Sequence, residues 1–163
     1  AGVKSPFALI QEIREWFDGP LLLSGSIANS DAVLASQAMG ADLAYIGSAF
    51  IATDEANAVQ AYKQSVVDNN ADDIVLSNLF TGVSGNYLKP SIEAAGLDPS
   101  NLPTSDASKM SFGSGGESDS KAWKDIWGCG QGIGVIDKVQ TTAELIAQFK
   151  REFADAKHRL IAA

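Results

Sequence analysis

The chain has 163 residues, with 20 Asp+Glu against 12 Lys+Arg for a formal charge of −8, and 45% of its residues are hydrophobic. That length suits one domain, or a piece of a larger one, with a sizeable core, and the acidic balance excludes the basic face that a nucleic-acid binder needs. A single cysteine, Cys129, excludes an internal disulfide and any multi-cysteine metal site, and points to a reducing cytoplasm.

The opening residues, AGVKSPFALIQEIREWF, carry charges throughout their apolar pattern, unlike a signal peptide. Ala8, Leu9, Ile13, Trp16 and Phe17 share one helical face, Pro6 suits the first turn, and Asp18-Gly19-Pro20 breaks the helix. Leu21–Ser24 is a short apolar run ending at Gly25, the pattern of a strand buried on both faces of a parallel sheet. Ser30 or Asp31 caps a second helix that runs to Met39, with Gly40 at its C-terminal end. Leu43–Ile46 is the next buried strand, and Thr53 or Asp54 caps a third helix to about Val67. No apolar run reaches the length of a membrane span; the best, Ala44–Ala52, contains Gly47 and Ser48. This alternation of helix and strand with short connections is the signature of a parallel α/β layer.

Asp73–Phe80 reads as a strand or a short helix, Thr81–Asn86 as a turn, and Pro90–Ala95 as a short helix stopped by Gly96. Thr104–Lys121, with six serines and three glycines, reads as a long surface loop. Lys121–Trp127 suits a helical turn or two. Gly128–Gly134 reads either as a turn into an Ile133–Ile136 strand or as a segment that covers a ligand. Thr141 and Glu144 form a capping box before a final helix with Leu145, Ile146, Phe149, Phe153 and Leu160 as its apolar stripe.

Two strand ends stand out as chemistry: Ser24-Gly25-Ser26-Ile27 and Tyr45-Ile46-Gly47-Ser48. Small residues let a ligand approach the backbone there, and a following helix directs unpaired N–H groups at an anion. Ligands bind at the C-terminal strand ends of parallel α/β folds, and adjacent late strands of eight-stranded barrels clamp phosphates. The glycines also admit a plainer reading as tight-turn residues. Elsewhere the residues read as structural. His158, the lone histidine, is a surface or helix-end residue, and Cys129 is a small packing residue with no base beside it in sequence. Trp123 and Trp127 share a helix face, Lys4 and Lys121 are exposed, and Asp72–Asp73 is a solvated pair rather than a metal site. The GCGQGIG run lacks dinucleotide-fingerprint spacing.

The stretch from Ser5 to Lys63 resembles the nitronate monooxygenase (2-nitropropane dioxygenase) family of FMN-dependent barrels. That family carries a Gly-Gly-Ile turn after its seventh strand, matched here by Gly25-Ser26-Ile27. It carries a Gly-Thr-x-Phe segment after its eighth, matched by Gly47-Ser48-Ala49-Phe50 and followed by Ala52-Thr53-Asp54-Glu55-Ala56. The distal WKDIWGCGQGIGVI is similar to the family's C-terminal segment. The resemblance implies an α/β fold, the C-terminal part of a (β/α)8 TIM barrel with a loop-rich α-helical C-terminal extension. Residues 1–70 would be the last βα units of the FMN-binding barrel, and residues 71–163 the extension.

Carried over, Gly25, Ser26, Gly47 and Ser48 hold the FMN phosphate through backbone N–H groups and the Ser48 hydroxyl, while Tyr45 and Ile46 approach the cofactor. Ser48 replaces the family's Thr and keeps the hydroxyl. Ser26 replaces a Gly and is tolerable if its φ is negative. No catalytic residue is expected in this chain, because the family's histidine falls in a turn whose tail Ala1-Gly2 resembles, just upstream of Ala1. The implied activity is FMN-dependent oxidation of alkyl nitronates by dioxygen, with a small nitronate or nitroalkane as substrate and no nucleic acid or membrane as partner. The alternatives are an FMN-dependent enoyl-thioester reductase, or an inert fragment that only folds and associates. Association is expected as a homo-oligomer or with the missing barrel half.

Overall fold

Ser5 and Pro6 start helix α1 (Pro6–Arg14): the Ser5 side chain accepts from the Phe7 amide, and the proline lacks only an N–H that would have had no helical partner. A computed structural model of the chain describes residues 2–105 and 125–162. The expectations for Ala1, for most of the Thr104–Lys121 loop, and for Lys121 and Trp123 lie outside those residues. Ile10, one turn before Ile13 and not among the residues expected on the apolar face, is the fully buried residue of α1, and Trp16 is 74% exposed. The helix ends at Arg14, so Trp16 and Phe17 belong to the turn beyond it.

Arg14 accounts for that stop. Its Nε donates to the Gly40 carbonyl at 2.8 Å, one Nη donates to the carbonyls of Phe17 and Gly19, and the other pairs with Asp42 at 2.7 Å. Asp42 also accepts the Leu21 amide, and that bond, followed by Arg14, holds its carboxyl below the usual range. One guanidinium therefore ties together the end of α1, the turn at Gly40 and the segments entering both strands.

Strands β1 (Leu22–Ser24) and β2 (Leu43–Tyr45) pair in parallel, Leu22 beside Leu43 and Ser24 beside Tyr45, with α2 (Ser30–Ala38) between them in sequence. The α2 cap is Asn29, one residue before the expected Ser30, and its side chain accepts the Ala32 amide. Gly40 ends that helix at φ +110°. One face of the strand pair packs into a cluster of Ile10, Leu23, Ile27 and Ala41. The other face departs from the expectation of strands buried on both sides: Leu22, Leu43 and Tyr45 are 52%, 56% and 64% exposed. Nothing among the described residues covers it.

The helix expected from Thr53 or Asp54 begins later, as α4 (Gln60–Asp68), and a short α3 (Ser48–Ile51) precedes it. The intended caps are engaged elsewhere. The Thr53 hydroxyl donates back to the Phe50 carbonyl at 2.8 Å, and its backbone bridges Gln140. Glu55 accepts both the amide and the hydroxyl of Thr142, bonds that hold its carboxyl below the usual range.

A 3-10 turn at Ala71–Asp73 leads into β3 (Ile74–Ser77), which pairs antiparallel with β4 (Gly85–Leu88). The Asp73–Phe80 region is thus a strand followed by a turn, and Thr81–Asn86 is a turn only in its first part. Gly85 sits in a strand because Tyr87, on the same face, lays its ring over the space a side chain would fill; a Cβ at Gly85 would lie 2.7 Å from the Tyr87 hydroxyl. Helix α5 (Lys89–Ala94) follows, and Gly96 closes it at φ +81°.

Residues 127–129 run beside β4, with the Leu88 amide on the Trp127 carbonyl at 2.8 Å and the Cys129 amide on the Asn86 carbonyl at 3.2 Å. The expected Ile133–Ile136 strand does not form: Gln131–Val135 is a 3-10 helix, a course that its two glycines permit and that extended pairing would not favour. The final helix, α6 (Thr142–Ile161), opens with the Thr141–Glu144 capping box. It buries Leu145 and Ala156, whereas Ile146 and Leu160 of the expected stripe stay exposed. It packs on α2, where the Ser30 hydroxyl donates to the Phe149 carbonyl at 2.7 Å and Asp31 pairs with Arg159. Ala52, Val66, Leu88, Cys129 and Ile133 form a further buried cluster, which joins the α3–α4 region to β4 and to the 127–133 segment. Among the described residues, no helix is long and apolar enough to cross a membrane.

Candidate functional site

The register of β1 and β2 sets Ser24 beside Tyr45, so the two small-residue turns leave the sheet side by side. After β1 the chain turns through Gly25 at φ +100° and Ser26 at φ +57°. After β2 it passes through Gly47 into the short α3. The turns share one cleft of about 150 Å³, lined by Ser24–Ala28, Tyr45, Gly47, Ser48, Gly130 and Gly132. Among the described residues, no carboxylate, lysine, arginine or histidine lines it. Its polarity comes from backbone groups and serine hydroxyls, and the amides of Ser26 and Gly47 bond to no other described residue.

Ser26 departs from the condition set by its sequence. It is the one non-glycine residue at positive φ among those described, in the left-handed region that costs an L-residue about 1–2 kcal/mol. Such strain persists only where the surroundings over-determine the backbone. Here they do: its carbonyl faces Gly132 and its amide faces Gly130.

Those two glycines form a third wall that spacing alone did not assign. The Gly130 amide donates to the Ser48 Oγ at 2.8 Å. A Cβ at Gly132 would lie 2.8 Å from the Ser26 carbonyl carbon and oxygen, so the segment can lie this close only as glycine. The GCGQGIG run therefore covers the strand ends rather than entering a strand. What could have found it is the alternation of glycine at positions 128, 130, 132 and 134, the pattern of a backbone pressed against another backbone.

The remaining candidates separate cleanly. Tyr45 borders the cleft, while Ile46 turns away from it and packs against both neighbouring apolar clusters. Cys129 is buried, and burial pushes its thiol up to about 12, which leaves it protonated and unreactive at neutral pH. Lys4 pairs with Glu12 on the surface. Asp73 caps its own 3-10 turn, and the Asp72 carbonyl accepts from Lys89. Trp127 stacks on Tyr62 at 5.2 Å between ring centroids. His158 is exposed on α6 and lines no part of the cleft.

The geometry fits a phosphate head. A Cβ on Gly25 or Gly47 would meet no protein atom within 4 Å, so at both positions the missing side chain leaves open space instead of relieving a clash. The cleft is smaller than the ~300–1,000 Å³ of a whole-ligand pocket, a size that suits an anionic end group and leaves a ring system to walls beyond it.

The family model for nitronate monooxygenase matches residues 1–152. The probable nitronate monooxygenase of Staphylococcus haemolyticus is 32% identical over 77 residues, 47% of this chain and 22% of that protein. Its counterpart in Bacillus subtilis is 33% identical over 75 residues, 46% of this chain and 22% of that protein. The matched region thus spans about a fifth of these relatives' length. Among solved structures, FabK from Thermotoga maritima superposes with a TM-score of 0.74 at 20% identity, over 99% of this chain and 52% of that one. Nitroalkane oxidase from Streptomyces ansochromogenes superposes at 0.69 with 22% identity, over 96% of this chain and 45% of that one. At those identities the likeness is one of fold.

Proposed function

Because the chain belongs to the nitronate monooxygenase family, we propose that its cleft holds the phosphate of FMN and that the protein oxidises alkyl nitronates with dioxygen. One observation carries the reading: two successive strand-end turns open into a single small cleft with unpaired amides and bare glycine positions. In this reading β1 and β2 are neighbouring strands of a (β/α)8 barrel, with the cleft at their C-terminal ends, where such barrels bind ligands.

Bound there, FMN supplies the two-electron acceptor and the centre that dioxygen reoxidises. The chain's own residues bind and orient. The amides of Gly25, Ser26, Gly47 and Ser48 face the phosphate. Ser48 Oγ accepts the Gly130 amide and keeps its own proton to donate to a phosphate oxygen. Tyr45, exposed beside the cleft, meets the cofactor beyond the phosphate. Gly130 and Gly132 close the third side and exclude water from the anion, which strengthens each hydrogen bond to it.

No residue of the cleft is placed as a base. The 163-residue chain with added FMN is accordingly expected to show no oxygen uptake with neutral 1-nitropropane, whose proton must first be removed, and turnover like that of a whole family relative would place a base among these residues. The substrate class is tested by anaerobic reduction of the flavoprotein. Bleaching of the flavin by propyl nitronate supports the proposal. Bleaching by NAD(P)H and not by nitronate would move the assignment to enoyl-thioester reduction on the same phosphate site.

A further inference from the structure

The Gly128–Gly132 wall is anchored from outside the cleft. Tyr62, in the first turn of α4, donates its hydroxyl to the Gly128 carbonyl, and its ring stacks on Trp127 with an interplanar angle of 11°. Burial pushes the Tyr62 phenol up to about 12, so it remains a donor across the working pH range. Two residues beyond Gly128, the Gly130 amide reaches the Ser48 Oγ. A hydroxyl oxygen that accepts an N–H must direct its own proton elsewhere, and Ser48 lines the cleft. Glycines on either side of Cys129 leave the backbone free to take many courses, so its observed course depends on what grips it. Tyr62 itself does not line the cleft.

We infer that Tyr62 is a positioning residue: by holding the Gly128 carbonyl it keeps the Gly130 amide on Ser48 and so aims the Ser48 hydroxyl at the anion bound between the strand-end turns. The inference rests on the phosphate reading above. It gives a core tyrosine, with no contact to the ligand, a role in ligand affinity through one hydrogen bond.

Tyr62→Phe removes that bond and keeps the stacking, so the variant is expected to melt cooperatively within a few degrees of the wild type. Its Kd for FMN, read by flavin fluorescence, should rise about fivefold, the worth of one buried hydrogen bond. Labelling of Cys129 by a thiol reagent should accelerate, because the segment that buries it has lost an anchor. A merely structural role would not produce one further result: Ser48→Ala should weaken FMN binding in the wild type and add little in the Tyr62→Phe background, since both changes act on the same hydroxyl. Equal FMN affinity in wild type and Tyr62→Phe, or full additivity of the two substitutions, overturns the inference and leaves the phosphate site standing. Absence of binding of both FMN and inorganic phosphate by the wild type overturns the phosphate reading, and the inference with it.

Discussion

At Gly47 an added methyl group would meet no atom within 4 Å, whereas at Gly132, across the same cleft, it would sit 2.8 Å from the Ser26 carbonyl. The first rim leaves open space where a side chain would stand. The second is glycine because two backbones are pressed together. Loss of either side chain looks identical in a sequence, and only the neighbours tell a binding glycine from a packing one.

The sharpest way to break that contrast is to substitute both. Gly132→Ala forces backbone atoms apart and should destabilise the fold by about 1–3 kcal/mol, the usual cost of overpacking, seen as a lowered Tm. Gly47→Ala should cost no more than about 1 kcal/mol, the price of a poorer helix cap, while weakening FMN binding at least as much as Ser48→Ala does. If the two variants melt alike, the rims do not differ as described.

Ser26 joins the rims, and its strain sharpens the comparison. Ser26→Gly relieves about 1–2 kcal/mol of left-handed strain but gives the unfolded chain more freedom, worth about 0.4–1 kcal/mol against folding. The net expectation is a stabilisation of about 0.5–1 kcal/mol in denaturant melts. A destabilised variant would mean that the Ser26 side chain makes a stabilising contribution larger than its backbone strain.

Acid should act more gently, and on both regions. Asp42 fastens the β1–β2 side through Leu21 and Arg14, while Glu55 and Glu144 fasten the start of α6 through Thr142 and Thr141. All three carboxyls are held below their ordinary values of 3.8 for Asp and 4.5 for Glu, chiefly by backbone amides. A depressed folded-state value means that the stabilisation is present above the unfolded value and fades as pH falls through the folded one. Melting temperature should therefore be level above about pH 5, where these groups contribute in full, and decline below it. Glu55→Gln should flatten part of that decline, and an unchanged acid profile would contradict the pairing of Glu55 with Thr142.

Much of this architecture is legible in the residues. The βαβ unit follows from Leu21–Ser24 and Leu43–Ile46 with a helix between them, and the two turns that share the cleft are marked by their small residues. The capping box at Thr141 and Glu144 is visible for the same reason: it is local, three residues apart. What escapes is long-range. Thr53 and Asp54 look like cap residues for the next helix, but Gln140, far along the chain, pairs with their backbone. Gly85 looks like a turn residue until Tyr87 folds over it. Ser26, at positive φ, lies against Gly130 and Gly132, over a hundred residues away in sequence.

The central claim is that two strand-end turns recognise a phosphate through backbone groups and one hydroxyl. Parallel fluorescence titrations of the protein with FMN and with riboflavin, which share the ring and differ in the phosphate, test it most directly. FMN should bind at least tenfold more tightly than riboflavin, and Gly47→Val, which fills the space beside the turn, should bring FMN down to the affinity of riboflavin. Equal affinity for the two flavins in the wild type, or a Gly47→Val variant that binds FMN unimpaired, would contradict it.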